Sequence, residues 1–259
     1  MIALTTEQIG ALVGGFFWPF VRISAMMMAA PIFGAQLMPV RIRILMAFAI
    51  SMIAVPMLPP VPFVDPISYP GLLVLLQQVL IGVAMGFIFH MVFQALIIAG
   101  EAIASTMGLG FARMVDPANG VQVPVISQYL IIMATLLFVV LNGHLMLLEL
   151  VVESFRILPV GETGLSTQAF WKIASWGSQM FAGALLVAIP AVAALLVVNI
   201  SMGIITRAAP QLNIFAVGFP MMILLGFIFL TVTTPSMLSQ FTHLLMDAFE
   251  VVKVIVATG

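Results

Sequence analysis

Long runs without a charged residue follow one another along this chain, and the few charges lie between them. The five longest runs cover 44–64, 66–100, 117–148, 173–206 and 208–246. The apolar core of a bilayer is about 30 Å thick, and about 20 helical residues span it. Every run except the first is longer than one crossing needs, so each of these is predicted to hold a helix together with turns or a second helix.

Prolines and polar residues break the runs and define the predicted helices. Because proline removes the backbone donor that a helix interior needs, the proline-rich segment 56–70, the turn at 210–213 and Pro235 are interpreted as connections. The helical segments predicted between these breaks are 10–30, 43–58, 71–99, 125–152, 177–206, 212–232 and 236–256. The predicted fold class is all-α and membrane-associated, with long, broken apolar helices and helical hairpins.

Composition narrows the class of protein. Of the 259 residues, 7% are charged and 63% hydrophobic, and the mean hydropathy is +1.28, whereas about 25% of residues are charged in a typical soluble domain. A water-soluble globule with so few charges would expose one continuous apolar patch. The composition therefore excludes a cytoplasmic enzyme, a nucleic-acid binder and a disordered chain, and a net charge of −1 gives no field to attract nucleic acid.

Cofactor and catalytic motifs are missing from the sequence. Cysteine does not occur, which excludes disulfides, thiol catalysis and iron–sulfur ligation. The chain has no HExxH, GxSxG, P-loop or GxGxxG motif, and its three histidines are far apart in sequence. A non-enzymatic protein without a cofactor is the prediction.

Three polar residues lie in or beside apolar segments and are candidates for a buried site, namely Arg22, His90 and Glu101. An arginine within an apolar helix needs a partner. Arg22 is predicted to pair with a helix C-terminus or a carboxylate in a subunit contact, rather than to bind a substrate anion. The alternative function is a small-molecule or ion transporter in which the three residues form an intramembrane site.

The stretch 105–124 combines helix breakers with large apolar side chains. Its breakers are Gly108, Gly110, Pro117, Gly120 and Pro124, and its apolar residues are Met107, Leu109, Phe111, Met114 and Val115. Irregular backbone between membrane segments has to be covered by protein or line a cavity. These features favour a loop packed on neighbouring helices, and a hydrophobic constriction that blocks water and ions is the alternative.

Several short motifs, in this order along the chain, resemble the FliR family, the export-gate subunit of flagellar type III secretion, with virulence counterparts called SctT. They include Ala99-Gly100-Glu101, Met107-Gly108-Leu109, Asn142-Gly143-His144, the run from Ala209 to Phe215 and Gly218-Phe219-Pro220. The resemblance implies one FliR-like unit over 1–259, with a FliP-like region over about 1–176 and a FliQ-like hairpin with a C-terminal tail over about 177–259.

The resemblance also implies partners and a location. These are FliP- and FliQ-like gate subunits, FlhA- and FlhB-like export components, unfolded flagellar substrates and lipid of the bacterial inner membrane at the flagellar basal body. No nucleic acid is expected.

Finally, the resemblance reverses the interpretation of the stretch 105–124, which it implies is the loop that plugs the closed pore. The five apolar residues would then seal the pore, and the five breakers would be its hinges. Arg22, Arg41, Glu101 and Arg207 become candidates for contacts between subunits.

Overall fold

The structure, a computed structural model, describes residues 6–34, 38–61, 64–66, 68–110, 124–161, 163–209 and 214–258, with the backbone alone at 6–13 and 214–217. Across these ranges the chain is all-α, as predicted, with no strand. The helices are α1 (Thr6–Ala29), α2 (Val40–Ala54, continued by a 3-10 turn at Val55–Met57), α3 (Tyr69–Thr106), α4 (Val125–Val140), α5 (Gly143–Ile157), α6 (Thr167–Ala208) and α7 (Ile214–Ala257).

Four helical stretches among the described residues are long and apolar enough to cross a membrane. They are Val40–Met57, Tyr69–Thr106, Thr167–Ala208 and Gly218–Ala257, and the pair α4 and α5 adds a fifth if it counts as one broken span. The three longest helices, α3, α6 and α7, contain 38, 42 and 44 residues. At a rise of 1.5 Å per residue they are about 57–66 Å long, roughly twice the thickness of the apolar core.

The chain divides into two compact units that draw on separate parts of the sequence. Unit 1 consists of Met1–Met91, Phe138–Gly177 and Met246–Gly259, and unit 2 of Val92–Leu137 and Ser178–Leu245. Helices α3, α6 and α7 contribute residues to both units. The predicted FliP-like and FliQ-like regions, with their boundary at 176/177, are contiguous in sequence and stay a prediction.

In unit 1, α3 packs closely on α1 through two glycines one turn apart. A Cβ atom on Gly86 would lie 2.7 Å from the Met26 carbonyl oxygen, and one on Gly82 would overlap the Arg22 carbonyl. The Gly82–Gly86 pair thus serves close helix packing, for which small-xxx-small spacing is typical. Ala25 and Met26 of α1 are buried at this contact.

In unit 2, α6 and α7 form an antiparallel hairpin. The Leu244 side chain occupies the space where Gly183 would carry a Cβ atom. Gly183 lies 25 residues before the end of α6 at Ala208, and Leu244 lies 30 residues after the start of α7 at Ile214, so the two helices run in opposite directions on either side of the turn predicted at 210–213. The hairpin and the approximate position of its turn are therefore as predicted, while residues 210–213 lie outside the described residues.

Two predicted segment boundaries are wrong. The segment 125–152 is two helices, because Asn142 adopts a left-handed conformation with φ 57° that asparagine tolerates better than most residues. The next residue, Gly143, leaves room for the Phe138 ring, which would lie 2.5 Å from a Cβ atom there.

The predicted break at Pro235 is also wrong, since 212–232 and 236–256 belong to the single helix α7. Three threonine hydroxyls around this proline donate to carbonyl oxygens one turn earlier: Thr231 to Phe227 at 2.8 Å, and Thr233 to Phe229 and Thr234 to Leu230 at 2.7 Å. None of these is the carbonyl that Pro235 leaves without an amide donor, which is that of Thr231, four residues earlier. Apolar helices tolerate internal prolines, and α7 contains a second one at Pro220. Two other segments are longer than predicted, with α3 continuing to Thr106 and α6 beginning at Thr167.

Candidate functional site

The stretch predicted to form a plug begins where α3 ends, in unit 2. The Gly108 amide donates to the Ser105 carbonyl at 3.1 Å, and the Leu109 amide donates to the Ala104 carbonyl at 3.0 Å. Gly108 has φ 83°, so these bonds form a Schellman cap, which needs a left-handed residue that is usually glycine. The local sequence thus ends the helix at a defined point before the loop.

The apolar and hinge residues predicted for the loop fall into two groups. Among the described ones, Met107 is fully buried, Leu109 is half-buried and Gly110 is exposed. Pro124 lies directly before α4 and accepts a hydrogen bond from the Gln128 amide at 3.0 Å. The others lie outside the described residues: Phe111, Met114, Val115, Pro117 and Gly120.

Helices α3 and α4, which flank the loop, are joined by a hydrogen bond and by a close contact between their backbones. The Ser127 hydroxyl on α4 donates to the Ile97 carbonyl on α3 at 2.9 Å. A Cβ atom on Gly100 would lie 2.5 Å from the Ser127 Cα atom and 2.7 Å from its amide nitrogen. The backbones touch here, so we call this contact the stem of the loop.

The hairpin α6–α7 holds the α3 end of the loop. From α6, the Asn199 side-chain amide donates to the Thr106 carbonyl at 3.4 Å. From α7, Gly226 makes room for Met107, whose Cε atom would lie 2.5 Å from a Cβ atom there. Sequence reasoning assigned no role to Asn199, Ser127 or Gly226, although a polar residue in an apolar helix was a usable signal.

Arg22 is the centre of a second polar cluster, in unit 1. It is fully buried, and its Nε atom donates to Gln78 Oε1 on α3 at 2.8 Å. Its Nη1 atom is within 3.0–3.1 Å of the Leu158 carbonyl, the Ser154 carbonyl and the Ser154 hydroxyl. Arg22 therefore donates hydrogen bonds to the carbonyl groups at the C-terminal end of α5. A helix C-terminus and a carboxylate are the two kinds of partner predicted for it.

The positive charge of Arg22 is balanced by a helix end and an aromatic ring. Both carbonyl groups belong to the last turn and cap of α5, where the helix dipole favours a cation. The Phe155 ring lies 4.1 Å from the guanidinium carbon and adds a cation–π contact. Each of these partners is uncharged, so the cluster is a structural contact that joins α1, α3 and α5.

The alternative transporter site receives no support from this arrangement. It requires Arg22 and His90 around one cavity, but Arg22 is buried while His90 is exposed. The guanidinium is also occupied by the end of α5.

The remaining candidates for subunit contacts lie at helix ends or on partly exposed surface. Arg41 is exposed in the first turn of α2, and Arg207 is exposed in the last turn of α6. Glu101 is half-buried one residue after Gly100 of the stem. Contacts with other subunits at Arg22, Arg41, Glu101 and Arg207 stay predictions, and Arg22 has no exposed surface within its own chain.

Comparison with known proteins gives matches along nearly the whole chain. The family described as "Bacterial export proteins, family 1" matches residues 13–248. A flagellar biosynthetic protein FliR of Escherichia coli (strain K12) is 35% identical over 99% of this chain and 98% of its own length. Similar relatives of the same name occur in Pectobacterium carotovorum subsp. carotovorum (37% identical, 92% and 91%) and Bacillus subtilis (strain 168) (34%, 84% and 85%).

Replacing Arg22 tests the cluster. Arg22→Met keeps an apolar side chain but removes the guanidinium donor from the Leu158 carbonyl and from Gln78 Oε1, while the Ser154 carbonyl keeps the Leu158 amide. A buried acceptor left unsatisfied costs about 1–3 kcal/mol, so we expect a loss of this size in stability and a lower melting temperature in detergent. Arg22→Lys keeps the charge without the planar fork and should fall between the two. The control is Arg41→Gln, at an exposed position, with a change within about 0.5 kcal/mol. Equal melting of Arg22→Met and the parent would contradict the structural role.

Replacing Gly100 tests the stem. Gly100→Ala forces a methyl group against the Ser127 backbone and should cost about 1–3 kcal/mol. It should also speed limited proteolysis within 107–124. The matched control is Gly203→Ala in α6, where a Cβ atom meets nothing within 4 Å and alanine favours the helix. If both variants melt and are cleaved alike, the stem does not hold the loop.

Proposed function

The chain belongs to the FliR family of bacterial export proteins, family 1, and we propose that it forms the flagellar export gate together with FliP- and FliQ-like subunits. It is a component of a flagellar export apparatus and a membrane protein, with four candidate spanning helices in the part of the chain that the structure describes. In this gate the chain lines a pore for unfolded flagellar proteins and does not catalyse a reaction. The gate lies in the inner membrane at the flagellar basal body. FlhA- and FlhB-like components and the export substrates are its further partners.

The exposed apolar surface of the hairpin α6–α7 supports assembly with other subunits. Along the part of α6 in unit 2, Val197, Ile200 and Ile204 each expose more than 60% of their surface. On α7, Leu224 and Val232 expose 56% and 72%. Since α6 is about 63 Å long and a bilayer core covers about 30 Å, lipid covers only part of this surface. The rest has to be buried by protein, as in a gate built from packed helical subunits.

The loop 107–124 is proposed as the seal of the closed pore. Support comes from its apolar residues and from its tethers, since the stem joins the flanking helices and the hairpin holds Thr106 and Met107. An apolar constriction excludes water and ions by dewetting, without a charged barrier. A tethered loop of this kind blocks the pore passively and moves aside for an unfolded chain. The energy for export comes from the proton motive force and from partner proteins.

Assembly can be tested by co-expression and native mass measurement. We expect the full chain to be unstable when purified alone and to co-purify with FliP- and FliQ-like subunits in one complex of defined mass. The apolar surface of α6 and α7 is the physical reason, because it needs partners for burial. A small stable homo-oligomer that binds a solute would instead support the transporter alternative.

The plug can be tested by ion conductance of the assembled, closed gate in a bilayer. Phe111→Ala, or deletion of 109–114, removes apolar bulk from the constriction and should raise the ion leak at least several-fold. Phe111→Leu keeps an apolar side chain of similar bulk and serves as the matched control, with conductance close to that of the parent. Unchanged conductance in the alanine and deletion variants, with normal assembly, would refute the plug.

A further inference from the structure

An open groove in unit 1 lies between α5 and the last turns of α7 and takes no part in the proposed gating. Its volume is about 640 Å³, within the usual range for binding pockets of about 300–1,000 Å³. The larger part of its lining is apolar: Met146, Leu150, Ile157, Met246, Phe249, Val254, Val256 and Ala257. Within that lining, Met246, Ile157 and Val254 are more than 40% exposed, so the groove is accessible on the chain.

Carboxylates are concentrated at this groove. Four of the nine acidic residues in the chain line it: Glu149, Glu153, Asp247 and Glu250. Glu153 pairs with Arg156 at 3.4 Å, and Glu250 pairs with Lys253 at 3.1 Å. Glu149 and Asp247, one from each wall, are exposed and make no ion pair or hydrogen bond with the described residues. The groove thus joins an apolar floor to two unneutralised negative charges in a chain that has few charges of any kind.

Charge excludes lipid as the natural occupant. Ionised carboxylates are costly inside the hydrocarbon core, so this groove belongs to a region in contact with water or protein. Its negative charge also repels the anionic headgroups that attract basic segments to a membrane surface. A protein segment with positive charge is the complementary ligand.

A second copy of the chain does not carry such a segment. An amphipathic helix that fills a groove presents apolar anchors at i, i+3 or i+4, and i+7, and here it needs basic residues at similar spacing beside them. The eight Lys and Arg residues are widely scattered, and the two that are close, Arg41 and Arg43, are two positions apart. Residues at i and i+2 do not face the same side of a helix.

We propose that the groove between α5 and the end of α7 binds a basic amphipathic helix of another protein. The apolar face of that helix lies on the exposed side chains of Ile157 and Val254, and its Lys or Arg side chains pair with Glu149 and Asp247. This docking surface goes beyond the proposed gate and does not depend on the plug. It identifies the partner by its chemistry, a helix with basic residues three or four positions apart flanking an apolar stripe.

The test uses the full chain in motile cells, with a photo-crosslinking amino acid at Met146 or Val254. We expect a crosslink to one segment of another protein, and mass spectrometry of the crosslinked peptide should show the basic, amphipathic pattern. Glu149→Lys with Asp247→Lys should lower the crosslink yield at least fivefold, since two attractions become repulsions. Reversing the charges of two basic residues in the captured segment should restore the yield.

Two further variants keep the result interpretable. Thr163→Lys with Gln168→Lys adds two lysines at exposed positions of unit 1 outside the groove lining, which matches the charge change of Glu149→Gln with Asp247→Asn, and should leave the yield within twofold. Glu149→Gln with Asp247→Asn keeps the side-chain shape and should lower the yield about twofold or more, even if the lysine variant fails to fold. Crosslinks only to lipid, to a second copy or to a segment without basic residues would overturn the proposal. The absence of any crosslink would also overturn it, as would a crosslink yield that stays the same when the groove charges are changed.

Discussion

The carbonyl groups at the ends and breaks of apolar helices set the main constraint on this fold. In apolar surroundings each of these groups needs a partner from the protein itself, and only 7% of the residues are charged. Arg22 donates to two carbonyl groups of α5 at once, Gly108 lets α3 close its own last turn, and the Asn199 side chain donates to the Thr106 carbonyl at the end of α3. Because Arg22 also reaches Gln78, satisfying one helix end fixes three helices of unit 1 relative to one another.

The same shortage of charge shapes the outer surface. Helices α3, α6 and α7 are about twice as long as a bilayer core is thick, yet they carry large exposed apolar side chains along their length. Water alone would leave these apolar side chains unfavourably exposed, and a bilayer core is too thin to cover the whole length of the helices. In the proposed gate, neighbouring subunits would bury this apolar surface. The acidic groove at the end of α7 is the exception, and there the surface selects a partner by charge rather than by apolar area alone.

Local pattern predicted most of the helices but few of the contacts that hold the candidate site. Charge-free runs and the turn near 210 reflect residues close in sequence, where local pattern acts. Pro235 misled the prediction because apolar helices packed in protein tolerate an internal proline better than a general proline rule suggests. Arg22 and Ser154 are separated by 132 residues, and Asn199 and Thr106 by 93. Such pairs follow from tertiary packing, so sequence reasoning identified Arg22 as a candidate without its partners and missed Asn199.

The tethers also limit which part of the loop is free to move in the proposed gate. Thr106 and Met107 are held by the hairpin, and the Gly108 backbone is fixed by the Schellman cap. Rotation at Gly108 would carry the Leu109 amide away from the Ala104 carbonyl and so break the cap. Gly110 is exposed, and a Cβ atom there would meet nothing within 4 Å, so rotation there costs no described packing contact. Of the two glycines predicted as hinges at this end of the loop, Gly110 is therefore the better candidate for a hinge in the proposed gate. Met107 would then belong to the fixed side of the proposed seal.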